Sequence, residues 1–128
     1  MALLLDTHAF IWWLVGSVKL PTQVRDAVAL EDTEILVSAA SAWEIATKHT
    51  LGKLPEADAW ADDISGTISR QGFSTLDISM KHAEVAGRLP LHHRDPFDRM
   101  LIAQGLSEGL TLVSNESLFD QYGVTRLW

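Results

Sequence analysis

Leu3-Leu4-Leu5-Asp6-Thr7-His8, running on through the apolar stretch Ala9 to Val15, decides the architecture of this chain. An apolar run that ends in a lone carboxylate and passes straight into helix-compatible sequence reads as a buried parallel strand. Such a strand delivers Asp6 to the carboxyl edge of a sheet, where open α/β folds place their chemistry. Outward from this point, short apolar runs recur at Ile35 to Val37, Phe73 to Leu76, Leu110 to Val113 and Val124 to Trp128, the last expected at a sheet edge. Helical periodicity fills the intervals between them. Strands alternating with helices predict a three-layer α/β/α sandwich with a mainly parallel, about five-stranded sheet.

The helices carry their own punctuation. Asp6 to about Val15 is closed by Gly16 and Ser17, and Pro21 suits a first helical position ahead of Val24, Ala27 and Val28. Ser38 to His49 reads as a third helix and Asp58 to Arg70 as a fourth, with Trp60, Ile64 and Ile68 spaced four apart. Ser79 is a natural N-cap for a short helix to about Gly87. Asp95 and Pro96 open a helix that Gly109 closes, and Ser114 is expected to cap a last short helix ended by Gly123.

Residues 1–128 fit one domain, with 47% hydrophobic residues and room for a single core. No apolar run approaches the roughly 20 residues that span a bilayer, and Asp6 interrupts the start before a signal-peptide core forms. A soluble, cytoplasmic protein with no membrane partner is expected. With no cysteine, disulfides and thiolate metal sites are excluded, so any metal is held by oxygen or imidazole. A net charge of −7 argues against a simple electrostatic nucleic-acid binder. It leaves room for a nuclease, because bound divalent cations reverse the local charge of clustered carboxylates.

Four acidic positions carry the functional reading, and each has an ordinary structural role beside it. Asp6 is also an N-cap candidate. Glu44 stands three residues after Ser41 in capping-box spacing and four before Lys48, a helix ion-pair spacing. Asp95 is a natural cap before proline, and Asp98 lies in the first turn, where the helix dipole favours a negative charge. Asp98, inside the helix and better fixed, is the preferred ligand, with Asp95 as its rival or as the cap behind it. Glu116 follows a predicted strand in the first turn of a helix. Together these acids would meet at one cleft, repel one another, and suit an oxygen-bound ion such as Mg²⁺. Phosphodiester hydrolysis is the chemistry such a site serves.

Arg94, Arg99, Lys48 and Lys53 lie near the acids in sequence, placed to meet phosphate or simply to be solvated. His92 and His93 read as surface residues of a loop, and imidazole matches Mg²⁺ poorly. His8 reads as a helix-surface residue. Trp12, Trp43 and Trp60 are expected as core or interface anchors, although tryptophan can also stack on the bases of single-stranded RNA. One of the adjacent pair Trp12 and Trp13 must be partly exposed.

Three blocks, LLLDTHAFIWW (3–13), SAASAWEIATKHTLGKL (38–54) and LHHRDPFDRMLIAQGLSEGLTLVSNESLFDQYGV (91–124), stand in an order and spacing that resemble the PIN-domain proteins of the VapC toxin type. HRDPFDRMLIAQ is the most specific piece. The resemblance covers the chain from Leu3 to Trp128. It places the family's acids on Asp6, Glu44, Asp98 (with Asp95 as rival) and Glu116, with Ser114 and Arg99 supporting. It implies a Mg²⁺- or Mn²⁺-dependent endoribonuclease, a homodimer, and a small VapB-type antitoxin through which operator DNA is bound. One departure stands out: the family's fourth acid is usually aspartate in a Thr-x-Asp setting, whereas Ser114, Asn115 and Glu116 occupy it here.

Two other classes compete. A phospho-receiver domain needs an acidic pair after the first strand, an aspartate after a central strand and a lysine after a later one, but Asp6 stands alone and Ser38 and Ser114 hold the other places. A catalytically degenerate PIN-fold binding partner rests on the Glu116 departure alone.

Overall fold

The computed structural model describes residues 2–128. Its strands are β1 (Ala2–Leu5), β2 (Glu34–Ser38), β3 (Ser74–Leu76), β4 (Thr111–Val113) and β5 (Thr125–Leu127). All four pairings are parallel, in the order β3-β2-β1-β4-β5. The chain builds outward from β1 through β2 to β3, then returns to lay β4 on the other flank of β1. That reversal leaves a crevice beyond the carboxyl ends of β1 and β4, where open α/β sheets bind ligands.

Because alternate strand residues face opposite ways, the triplet Leu3-Leu4-Leu5 feeds two cores. Leu3 and Leu5 join Ile35, Val37 and Val113 on one face, packed by α1 (Thr7–Val15), α2 (Thr22–Ala29) and α4 (Ile64–Arg70). Leu4 joins Leu36 and Leu112 on the other, packed by Leu101 and Ile102 of α6 (Pro96–Glu108). The remaining long helix, α3 (Ala39–Thr50), gives Ile45 to the first core and Ala40 to the second. Helix α5 (Met80–Arg88) packs against α6. Thus the sandwich expected from the sequence is present, with a wholly parallel sheet.

Glycine shows how closely α6 lies on the sheet. A Cβ at Gly105 would stand 3.3 Å from the Leu112 side chain on β4, so even alanine would need that leucine to give by a few tenths of an ångström. Gly109 ends the same helix in the left-handed conformation (φ 65°), which glycine adopts without steric cost.

Several expectations are corrected. Met1, expected in the first strand, lies outside the described residues. Pro21 is the cap before α2 rather than its first residue. The single helix expected from Asp58 to Arg70 is broken into a 3₁₀ turn at Ala61–Asp63 and the short α4, because Asp63 accepts the Gly66 amide and restarts the helix. Ser38, not Ser41, caps α3 by accepting the Ala40 amide. Ser41 is one turn further on and fully buried, accepting a hydrogen bond from the Thr7 hydroxyl at 3.0 Å. The capping-box reading of Glu44 therefore falls. The last helix is a 3₁₀ segment, Ser117–Tyr122, capped by Glu116 rather than Ser114. Trp43 is 62% exposed and set edge-on to Phe97, so it is no core anchor.

Arg99 departs furthest from its expectation. It is buried, and its guanidinium donates to the carbonyls of Ala86, Leu89, Pro90 and His93. It is spent on folding the 89–95 loop over the start of α6, and is unavailable to phosphate. Lysine keeps the charge but lacks the fork that reaches several acceptors at once. Arg99→Lys should cost about 2–4 kcal/mol in urea unfolding, and a loss below about 1 kcal/mol would show that the loop is held by other contacts.

Candidate functional site

The carboxyl end of β1 hands the chain to α1 at Asp6, and two hydrogen bonds fix it there. Its backbone N–H donates to Val113 O at 3.0 Å, extending the β1–β4 ladder by one residue. Its Oδ1 accepts from the Ala9 N–H at 2.7 Å, making it the N-cap of α1. The carboxylate is only 5% exposed. Burial raises its pKa and the Glu44 charge adds to that, while the Ala9 amide, the Ser114 hydroxyl and His8 pull the other way.

Asp98 reaches the same place from α6. Asp95 caps that helix, its Oδ1 accepting from Phe97 N at 2.8 Å and Asp98 N at 3.2 Å. Asp98, one turn in, is left free of the cap and lines a cleft of about 320 Å³ together with Asp6, His8, Trp12, Asn115 and Glu116. Burial, then the charge of Asp95, pushes the Asp98 pKa up to about 6, with Asp6 and Glu44 adding to the rise and His93 opposing it.

Glu44 comes from the second turn of α3 and is 4% exposed. One carboxylate oxygen pairs with Lys48, and the other, Oε1, is buried without a hydrogen-bond partner. A buried carboxylate oxygen left unpaired is costly and calls for a ligand. Glu116 stands at the rim. It is exposed, and its Oε1 accepts from Leu118 N at 3.1 Å as the cap of the 3₁₀ segment. Ser114, fully buried, accepts the Glu116 N–H on its hydroxyl and anchors the turn after β4. Arg126 on β5 braces that turn, donating to Ser114 O while gripping both oxygens of Asp120.

The fold thus brings Asp6, Asp98 and Glu116 to one cleft, sets Glu44 within electrostatic reach of Asp6 and Asp98, and leaves Asp95 as a helix cap. No three His, Asp or Glu side chains among the described residues stand in metal-ligand spacing as placed. Asp98 is instead turned to His93 and Glu44 to Lys48.

His93 lies in the loop expected for it but is not a surface residue. Its side chain is 15% exposed and its ring lies against Phe119. The Asp95 N–H donates to Nδ1, so Nε2 carries the proton and donates to Asp98 Oδ2 at 2.8 Å. The signal lay in its place two residues before the cap, within the loop that Arg99 folds back.

The model of the PIN domain family matches residues 3–124. Ribonuclease VapC16 of Mycobacterium tuberculosis (strain ATCC 25618 / H37Rv) is 48% identical over 54 residues, a stretch that spans 42% of this chain and 37% of that protein. The crystal structure of VapBC2 from Rickettsia felis bound to a DNA fragment from their promoter superposes with a TM-score of 0.75 at 20% identity, covering 100% of this chain and 99% of that one. DNA-bound VapBC from Salmonella typhimurium gives 0.72 at 21% identity, covering 99% and 97%. At such identities the solved structures share the fold. The match over 3–124 takes in every strand but β5 and all the acids of the cleft, and this chain belongs to the PIN domain family.

Proposed function

We propose that this protein is a divalent-metal-dependent endoribonuclease of the VapC type, the toxin of a type II toxin–antitoxin pair, that hydrolyses RNA phosphodiester bonds. The observation that carries it is the meeting of Asp6 and Asp98 in one cleft at the sheet's reversal point, with Glu44 buried within reach of both charges. The relative named as a ribonuclease and the neighbours solved as VapBC assemblies on DNA support the reading. By the same likeness we propose a VapB-type antitoxin as partner, a homodimer, contact with operator DNA only through the antitoxin, and a cytoplasmic location.

A cation fits these residues. Asp6, Asp98 and Glu44 offer only hard oxygen donors, Glu44 Oε1 is buried and unpartnered, and burial first, then the neighbouring carboxylates, raise the pKa of Asp98. Asp6, Asp98 and Glu44 would hold Mg²⁺ or Mn²⁺, with Glu116 at the rim. When bound, such an ion supplies a water of lowered pKa and neutralises charge building on the phosphate oxygens. The chain's own part is to hold Asp6 rigid through Ala9 N and Val113 O, to orient Asp98 through His93, and to keep Glu44 out of bulk water.

Asp6→Asn tests the site while sparing the fold, because asparagine keeps the volume and caps a helix equally well. In the antitoxin-free protein, cleavage of total cellular RNA into discrete fragments should require Mg²⁺ or Mn²⁺, stop in EDTA, and fall in the variant by more than the ~100-fold that loss of an outer-sphere partner costs. Undiminished cleavage by folded Asp6→Asn protein would falsify the assignment. A folded wild-type protein that neither binds metal nor cleaves RNA would establish the degenerate binding partner instead.

The charge at Asp98 also predicts how stability varies with pH. Its pKa is about 6 in the fold against an ordinary 3.8, so between those values the folded protein holds more protons than the unfolded chain. Stability from this group therefore falls as pH rises from about 4 to about 6, and the cost, up to ~3 kcal/mol, is complete above that window. In EDTA, Asp98→Asn should be more stable than wild type at pH 8, with the gap closing toward pH 4. Thermal unfolding of the pair across this range measures it, and a variant no more stable at pH 8 would show that the Asp98 charge is already compensated.

A further inference from the structure

One wall of the cleft is acidic and the other is aromatic. His8 and Trp12 sit four residues apart on α1, hence on the same helix face, and both line the cleft that holds Asp6 and Asp98. Their ring centroids are 5.6 Å apart with planes inclined by only 31°. Trp128 packs against Trp12 at 5.8 Å between ring centres with its plane inclined by 57°, bracing the indole without stacking on it, and the Lys19 ammonium lies 5.7 Å from the Trp12 ring centre. His8 is exposed and Trp12 half-buried, whereas Phe10, on the opposite side of the same helix, is completely buried. Core packing accounts for Phe10 and part of Trp12. It does not account for an exposed imidazole set beside an indole, the two planes inclined by 31°, at the mouth of an acidic cleft.

We infer that His8 and Trp12 form a nucleobase-stacking subsite, backed by Trp128, that admits an unpaired base of single-stranded RNA beside the carboxylates. The inference rests on the ribonuclease reading above and specifies how that site selects its substrate. A flat π-surface suits any base, and only a base released from a duplex has a face free to meet it. The amide of Asn115 at the cleft rim offers both donor and acceptor to a base edge. Stacking also suits a chain of net charge −7, because it draws on the base and not on the phosphate.

Two probes of equal charge isolate the effect. One is a fluorescent ten-nucleotide 2′-O-methyl RNA, single-stranded and bound in EDTA so that no metal-activated water can cleave it. The other has the same backbone without bases. Phosphate contacts are common to both, so the ratio of their dissociation constants reports base contacts alone. Wild type should bind the base-bearing probe roughly ten-fold tighter, the scale of one stacked base. In His8→Ala, whose exposed side chain can be removed without disturbing the core, the ratio should fall several-fold, and in Trp12→Leu it should approach one. Trp43→Ala, outside the cleft, should keep the wild-type ratio. A ratio near one in wild type, or an undiminished ratio in His8→Ala and Trp12→Leu, overturns the subsite. If wild type still cleaves RNA in that event, only the subsite falls; if it neither binds the probes nor cleaves RNA, the ribonuclease reading falls with it.

Discussion

The buried carboxylate of Asp6 is the constraint on which the rest of this structure depends. Placing a charge at the end of the central strand costs desolvation energy, which the fold offsets with the Ala9 amide and the neighbouring Ser114 hydroxyl. Those donors exist only because β1 gives way to α1 at that residue and because β4 ends level with it, through Asp6 N on Val113 O. The sheet order, the α1 N-terminus and the turn after β4 are thus tied together at one side chain. Adding Asp98 and Glu44 within reach makes the arrangement less stable than a neutral cleft would be. Unfavourable charge kept at one point of an otherwise well-packed fold is the usual mark of a functional site.

Around that point the fold places supports that differ in kind. Arg99 gathers three carbonyls of the 89–95 loop and that of Ala86 in α5, and the loop presents His93 to Asp98. Arg126 grips Asp120 and Ser114 O, and so fixes the turn that carries Glu116. One guanidinium is buried and the other is near the surface, yet both act on the backbone leading into a cleft residue. The supporting charges of this site therefore serve geometry first.

The alternation of strands and helices was legible in the sequence because a fully covered parallel sheet leaves continuous apolar runs, as at Leu3 to Leu5 and Ile35 to Val37. Asp6 and Asp95 were legible as caps for the same local reason. What was not legible depended on contacts distant in sequence. Ser41 has the spacing of a cap, but Thr7, 34 residues away, takes its hydroxyl into the interior. Arg99 looks like a surface charge until the loop folds over it. His93 looks like a surface residue until Phe119 covers its ring and Asp98 meets its Nε2. The helix expected over 58–70 failed on a local competitor, since Asp63 offers the backbone a better start at Ile64 than continuation from Asp58.

The acidic balance of the chain bears on how such a site meets a polyanion. Proteins that hold nucleic acid by charge present basic surface, and here the cleft presents carboxylates. Cations at the carboxylates would reverse the sign only locally, within about a Debye length of 8–10 Å. Affinity beyond that reach would have to come from contacts that do not depend on charge, and the cleft offers one kind: the ring of His8 beside Trp12, which Trp128 braces. In the proposed reading, an aromatic wall beside a carboxylate floor would divide the work, the floor acting on phosphate and the wall on the base attached to it. On that division the length of the side chain at Glu116 matters less than its position. Exposed at the rim and already capping Leu118, it would border the path of the proposed strand, while the buried acids Asp6, Asp98 and Glu44 would set where its phosphate comes to rest.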